Sequence, residues 1–234
     1  MKSIVELNNY FEKKSAGEIL KYFSEQYSEE SVFSSSFSIE DQVITYMIAE
    51  SKSMTKIFTL DTGRLPYETY SLIDRTREHF NINIEIHFPN YESVEKMVCE
   101  NGVNLFYKSI ETRKLCCYVR KIEPLKRALA NKKVWITGLR REQSVTRENL
   151  NIVEYDDNFK IIKVNPLISW TEKQVWDFIN KHNIPFNQLY NKNYKSIGCA
   201  PCSRAVQEGG DVRDGRWWWE NPDTKECGLH IKTN

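Results

Sequence analysis

The cysteines are the residues of this chain whose type and spacing speak most directly to chemistry. Cys199-Ala200-Pro201-Cys202 is a CxxC pair, and Cys116-Cys117 is a tandem pair well upstream of it. Together they offer four thiolates, a donor set suited to zinc or to an iron–sulfur cluster. Each pair taken alone also reads as ordinary core cysteine, since free cysteine is among the most buried residue types. A structural zinc site needs all four sulfurs about 2.3 Å from one ion, which adjacent cysteines reach awkwardly. A cluster gives each iron its own thiolate and tolerates such neighbours better. If Cys116 and Cys117 lie on a helix, Arg120 and Lys121 fall four residues later on the same face, where they would offset thiolate charge. Solvated surface charge is the plainer reading of such a basic pair.

Cys227 stands near the end of the chain in Glu226-Cys227-Gly228-Leu229-His230. A histidine or cations nearby lower a thiol pKa and expose a nucleophilic thiolate; an inert terminal cysteine is the alternative. Cys99, with Val94 and Met97 on one predicted helix, reads as a core residue. A second kind of chemistry is offered by Ser34-Ser35-Ser36-Phe37-Ser38-Ile39-Glu40-Asp41, placed where a strand turns into a helix. Small hydroxyl residues and free N–H groups at a helix N-terminus make an anion site, although a serine run is also the mark of a capped loop. Leu60-Asp61-Thr62-Gly63-Arg64 follows the next strand, so two loops are expected to face one crevice at the carboxyl edge of a sheet. Arg140, Arg141, Arg147, Arg213 and Arg216 add cations suited to bidentate contact with sulfate or phosphate.

The elements that must position these residues alternate. Ser31 to Ser35, Thr55 to Leu60, Ile82 to Phe88 and Lys133 to Thr137 read as strands; Ile39 to Ala49, Pro66 to Phe80, Tyr91 to Glu100, Ile110 to Glu123 and Thr171 to His182 read as helices. This rhythm predicts an α/β fold, a parallel sheet wrapped by helices. Pro66 suits a first helical position, Pro124 should end or kink its helix, and Thr171 with Gln174 makes a capping box. Two short N-terminal helices are expected to cover a sheet edge. From about residue 184 the chain turns irregular, rich in Gly, Asn, Cys and Trp, and long irregular segments in compact proteins are usually functional or disordered. The expected division is an α/β nucleotide-binding part over 1–198 with a tail over 199–234, within one structural domain.

Composition narrows the partners. Lys plus Arg number 33 against 32 Asp plus Glu, a net charge of +1, so no global field favours nucleic acid or an anionic membrane. The longest stretch free of charged residues, His182 to Asn191, is far short of the roughly 20 apolar residues of a spanning helix. Glu6, Asn8 and Asn9 interrupt any signal-peptide core. A cytoplasmic protein is expected, and in that reducing compartment cysteines serve metals or redox chemistry.

The ordered set of these motifs resembles the assimilatory sulfonucleotide reductases, and among them the cluster-bearing adenylyl-sulfate (APS) reductases. The likeness runs from about Ser31 to His230. It rests on Ser-Ser-Ser-Phe before Glu40-Asp41, Leu60 to Gly63, Cys116-Cys117 with Arg120-Lys121 and Pro124-Leu125, and Trp135 to Arg147. Cys199 to Cys202, Gly215 to Glu220 and Glu226 to His230 complete it. It implies an adenine-nucleotide fold of the pyrophosphatase-loop type and a 4Fe-4S cluster on Cys116, Cys117, Cys199 and Cys202. It implies that the Cys227 thiolate attacks the sulfur of APS, expels AMP and is left as S-sulfocysteine, which thioredoxin or a similar dithiol resolves to sulfite. The cluster is implied to act electrostatically, with Lys121 linking its field to the substrate. The nucleotide would be held by Ser35, Leu60, Thr62, Gly138 and Arg147, and the phosphosulfate faced by Lys121, Arg213, Arg216 and His230. A mobile tail is implied, since one sulfur must meet both substrate and dithiol, with Gly209, Gly210 and Gly215 as sources of backbone freedom. Homo-oligomers are compatible with the resemblance.

Ser38 and Leu139 depart from residues common in relatives and bear on the nucleotide contacts, and the four cysteines favour APS over its 3′-phosphorylated form, PAPS. A pyrophosphatase-loop thiolation enzyme would show Ser-Gly-Gly-x-Asp-Ser, whose glycines Ser34 to Asp41 lacks. A non-enzymatic metal module binding nucleic acid through Trp217, Trp218 and Trp219 is opposed by the +1 charge, and packing of the tail onto the body accounts for the tryptophans more simply.

Overall fold

A computed structural model describes residues 2–143 and 147–221. The expectations for Cys227, His230 and the tail beyond Asn221 lie outside the described residues. Six strands form one sheet in the order β3-β2-β1-β4-β6-β5: β1 (Ser31–Ser34), β2 (Lys56–Leu60), β3 (Ile84–His87), β4 (Val134–Ile136), β5 (Val153–Asp156) and β6 (Ile161–Val164). β1 runs parallel to β2 and β4, and β4 parallel to β6, while β5 returns antiparallel on β6. Val32, Phe33, Val134, Trp135 and Ile136 are buried, as continuous strands covered on both faces must be. The β5–β6 hairpin was not foreseen, because its strands are short and mix charge with apolar residues.

The helices are α1 (Ile4–Phe11), α2 (Ala16–Tyr27), α3 (Ile39–Glu50), α4 (Tyr67–Phe80), α5 (Tyr91–Asn101), α6 (Ile110–Cys117), α7 (Glu123–Leu129) and α8 (Glu172–His182). Their starts follow capping chemistry. Ser38 accepts from the Asp41 N–H at the head of α3, and Thr171 and Gln174 form the expected capping box on α8. α1 covers the sheet edge through Asn8, whose side chain donates to the Val153 carbonyl at 2.8 Å and accepts from its N–H at 3.0 Å. That pairing covers the edge strand at Val153.

The helix expected over Ile110 to Glu123 is broken differently. α6 ends at Cys117, a π-helical turn covers Tyr118–Ile122, and α7 continues to Leu129 with Pro124 in its first turn. The helical path thus runs on through Pro124, and the wider π turn lies where its ring and missing N–H would disturb a regular α-helix. Cys99 also departs from expectation: it is exposed, while Met97 on the same helix is buried. Positions two apart on a helix point about 200° apart, so burying Met97 turns Cys99 outward.

Contacts gather the chain into two compact units, each described by itself. The first takes Met1–Thr59, Glu68–Glu85 and Asn131–Asn187, and the second Leu60–Tyr67, Ile86–Ala130 and Gln188–Asn234. The first carries most of the sheet, with α3 packed on α8 through Tyr46, whose ring lies 5.5 Å from Phe178 and 4.6 Å from His182. The second is built on α5, α6 and α7 around a core of Met97, Leu105, Phe106, Cys116, Val119, Cys199, Cys202 and Trp217. No helix among the described residues is long and apolar enough to cross a membrane.

Candidate functional site

In the second unit the two cysteine pairs meet. Cys116 and Cys117 close α6, Cys199 precedes a short 3-10 turn over Ala200–Cys202, and Cys202 ends it. All four line one cavity, together with Arg64, Arg120, Lys121, Arg216, Phe106 and Trp217 among others. Arg120 and Lys121 lie in the π-helical turn that follows α6, so they reach the thiols by that turn and not by the regular i,i+4 spacing expected of one α-helix. Among the described residues no group of three or more His, Cys, Asp or Glu side chains has the geometry of a bound metal ion. Four thiols around one cavity are a donor set that could hold a metal ion or a cluster.

Burial pushes the Cys202 thiol up to about 11 and neighbouring Cys199 adds to the rise, against the opposing pull of Lys121 and Arg216. Burial likewise raises Cys116, with Arg120 opposing. Desolvation wins over the nearby cations, so these two thiols are held protonated at neutral pH.

The loop after β2 is tied to this cavity. Thr62 Oγ1 lies 3.2 Å from Cys199 Sγ, Arg120 donates to the Thr62 carbonyl at 2.6 Å, and the Ala200 N–H donates to the Arg64 carbonyl at 2.7 Å. Gly63 turns the loop at φ +69, and its N–H donates to Asp61 Oδ1 at 2.7 Å. A side chain at Gly63 would be strained there and pressed against Arg120. Thr62 is thus a neighbour of the thiol site; Leu60 ends β2, half-buried.

The tail as far as Asn221 packs on the same unit. Trp217 is 1% exposed, held at φ +40, with the guanidinium groups of Arg216, Arg113 and Arg213 at 4.6, 4.8 and 5.4 Å from its ring. Arg113 makes a two-pronged ion pair with Glu220 at 2.8 and 2.9 Å, both side chains buried. Arg216 donates to the Cys202 carbonyl at 3.1 Å, and a side chain at Gly198 would run into its guanidinium. Trp217 is therefore a packing residue rather than a base-stacking platform, while Trp218 is exposed with Arg204 over its ring. Neither Arg113 nor Glu220 was predicted; the hint was Arg113 lying one helical turn before Cys116 and Cys117. Of the three glycines expected to loosen the tail, Gly209 alone has a left-handed φ, at +82. Gly215 is glycine for space, because a side chain there would strike the Arg204 carbonyl.

The first unit holds the other candidate residues, on the loops after the adjacent parallel strands β1 and β4. The sheet order makes this pair the point from which the connections run to opposite sides, where α/β sheets bind ligands. Ser35 is buried in the first loop, its N–H donating to the Phe58 carbonyl at 2.8 Å and its Oγ accepting from the Phe37 N–H at 3.2 Å. Gly138 lies in the second, where a side chain would collide with Asp41 and Glu40. Arg147 donates to Gln143. Arg140, expected to supply a free cation, instead pairs with Glu40 at 2.8 Å with both side chains buried, and also reaches Glu142 at 3.1 Å.

A family model of the phosphoadenosine phosphosulfate reductase domain matches residues 30–205. The adenosine 5′-phosphosulfate reductase of Allochromatium vinosum is 52% identical over 199 residues, covering 85% of this chain and 78% of that protein. Its counterpart from Burkholderia cepacia is 50% identical over 201 residues, 86% of this chain and 80% of that one. Among solved structures, the phosphate complex of phosphoadenylyl-sulfate (PAPS) reductase from Candida auris superposes with a TM-score of 0.74 at 26% identity, over 87% of this chain and 96% of that one.

Proposed function

The chain belongs to the phosphoadenosine phosphosulfate reductase family, and from that premise we propose that it is an adenylyl-sulfate reductase whose 4Fe-4S cluster is held by Cys116, Cys117, Cys199 and Cys202. The observation that supports this most is the meeting of the two cysteine pairs in one cavity with Arg120, Lys121 and Arg216. The names of the relatives favour APS over PAPS as substrate.

Chemistry begins at Cys227. Its thiolate attacks the sulfur of APS; a sulfur–sulfur bond forms, the bond from sulfur to the phosphate oxygen breaks, and AMP leaves with the electron pair. The S-sulfocysteine left behind is attacked at Cys227 Sγ by a thiolate of thioredoxin or a similar dithiol protein. Sulfite departs, and the second thiol of the dithiol closes its disulfide and frees Cys227. The two electrons gained by sulfur come from that dithiol. When bound, the cluster would supply fixed charge to the site and take no net electrons. Lys121, Arg213, Arg216 and His230 hold the phosphosulfate oxygens, which lowers the cost of charge moving onto the leaving phosphate. Ser35, Leu60, Thr62, Gly138 and Arg147 hold the nucleoside side. A cytosolic site of action fits the need for a reduced dithiol partner.

The test is anaerobic purification followed by iron and sulfide analysis, an absorption spectrum, and a sulfite assay with APS and reduced thioredoxin. Iron and sulfide in equal amounts, a broad thiolate-to-iron absorbance and APS-dependent sulfite are expected. Zinc without sulfide would remove the cluster, and no sulfite would remove the activity. Lys121→Ala is expected to retain iron and sulfide but lose about a hundredfold in turnover, the scale seen when one preorganised charge-stabilising donor is removed. Unchanged turnover with full iron would return Lys121 to ordinary surface charge.

A further inference from the structure

Arg113 is an unfavourable residue to bury in the second unit. Its side chain is 1% exposed and that of its partner Glu220 4%, and two ions taken out of water are compensated only by close geometry. Apolar residues of the same volume commonly serve a fold as well or better. A guanidinium does one thing they cannot, which is to donate further hydrogen bonds. Glu220 takes two of its five N–H donors, Nε to Oε1 at 2.8 Å and Nη2 to Oε2 at 2.9 Å. The same guanidinium is hydrogen-bonded to the Cys117 thiol. Both residues line the thiol cavity, and both lie in α6, where a regular α-helix puts positions four apart on one face. Glu220 is itself set from the tail, its N–H donating to the Trp217 carbonyl at 2.8 Å. Trp217 does not depend on Arg113 for a cation, since Arg216 lies closer to its ring.

We propose that Arg113 is a positioning residue for the metal ligand Cys117, held in place by Glu220, so that a chain of carboxylate, guanidinium and sulfur runs from the tail to the centre that the four cysteines hold. The inference rests on the functional reading above and adds an outer-shell pair to it. Because Glu220 neutralises the guanidinium, Arg113 brings an oriented donor and no net positive charge, unlike Lys121, whose proposed role is electrostatic. Its N–H holds the Cys117 sulfur turned into the cavity. Loss of such an outer-shell partner typically costs about tenfold to a hundredfold in metal affinity. Lysine is a poor substitute, since a point charge cannot grip a carboxylate with two parallel bonds and reach a sulfur at the same time.

The test uses the full chain, purified anaerobically, as wild type, Arg113→Met/Glu220→Leu, Glu220→Gln and Arg113→Lys. Circular dichroism checks folding, while transfer of iron to a ferrous chelator without oxygen and the iron–thiolate bands of the resonance Raman spectrum report on the centre. The double variant puts apolar side chains of similar size in place of the pair, so a pair that only staples the tail would be fully replaced by it. It is expected to fold and to release iron about tenfold faster or more. An iron–thiolate band should also move to higher frequency, because a sulfur that loses its N–H donor gives more electron density to iron. Arg113→Lys should fall between the double variant and the wild type. A folded double variant that keeps iron as long as the wild type, or whose bands do not move, overturns the proposal. If the double variant does not fold, Glu220→Gln decides, since it keeps the shape of the side chain but loosens its hold on the guanidinium: faster iron release with a moved band supports the proposal, and wild-type behaviour overturns it. Wild-type protein without iron and sulfide would remove the cluster reading and this proposal with it, whereas a loaded wild type matched by its variants counts against Arg113 alone.

Discussion

Replacing Cys227 with serine should abolish sulfite release, by at least about four orders of magnitude, while iron content and AMP binding stay at wild-type levels. A serine hydroxyl near neutral pH is a far weaker nucleophile than a thiolate, and loss of a covalent nucleophile typically costs on this scale. Because the proposed cluster is held by Cys116, Cys117, Cys199 and Cys202, the lesion should be confined to chemistry. The mass spectrum gives the complementary reading. Wild-type enzyme incubated with APS and no dithiol should gain one sulfonate group on the peptide that contains Cys227, and lose it when dithiol is added. A Cys227→Ser enzyme releasing sulfite at the wild-type rate would sink the mechanism whatever the metal analysis showed.

Cys202→Ser should lose most of its iron and sulfide together with activity, and its melting temperature should fall. Cys202 sits in the core of the second unit beside Phe106, Cys116, Val119 and Trp217. Metal binding at such a site adds directly to folding free energy, and a buried serine hydroxyl without a partner adds a desolvation penalty of about 1–3 kcal/mol. Cys99→Ser is the matched control: that thiol is exposed, so iron, activity and melting temperature should be unmoved. Full iron in Cys202→Ser would show that the ligand set is wrong, and iron loss in Cys99→Ser would show that it is incomplete.

Much of this was legible in the sequence, and for identifiable reasons. Strand and helix alternation depends on local periodicity and caps, so the parallel part of the sheet and the Thr171 capping box could be read from neighbours in the chain. The cysteine pairs were legible because metal-ligand spacing is a short-range signal. What escaped were features whose partners are remote. The π turn at Tyr118–Ile122 and the exposure of Cys99 follow from how α5 and α6 turn toward the core, and the β5–β6 hairpin is stabilised by its place beside β4.

The serine run shows the division most clearly. Sequence alone determined that Ser34 to Asp41 joins a strand to a capped helix, and that four thiols and a basic pair exist to share a site. Only the tertiary structure decided what those groups face. It brought Cys116 and Cys117 into one cavity with Cys199 and Cys202, set Arg140 against Glu40, and spent the Ser36 donors on Asp41. A residue's type and local spacing set which bonds it is able to make, but a buried hydrogen bond or ion pair is worth making only where folding has already removed water from both partners, and that depends on chain segments far apart in sequence.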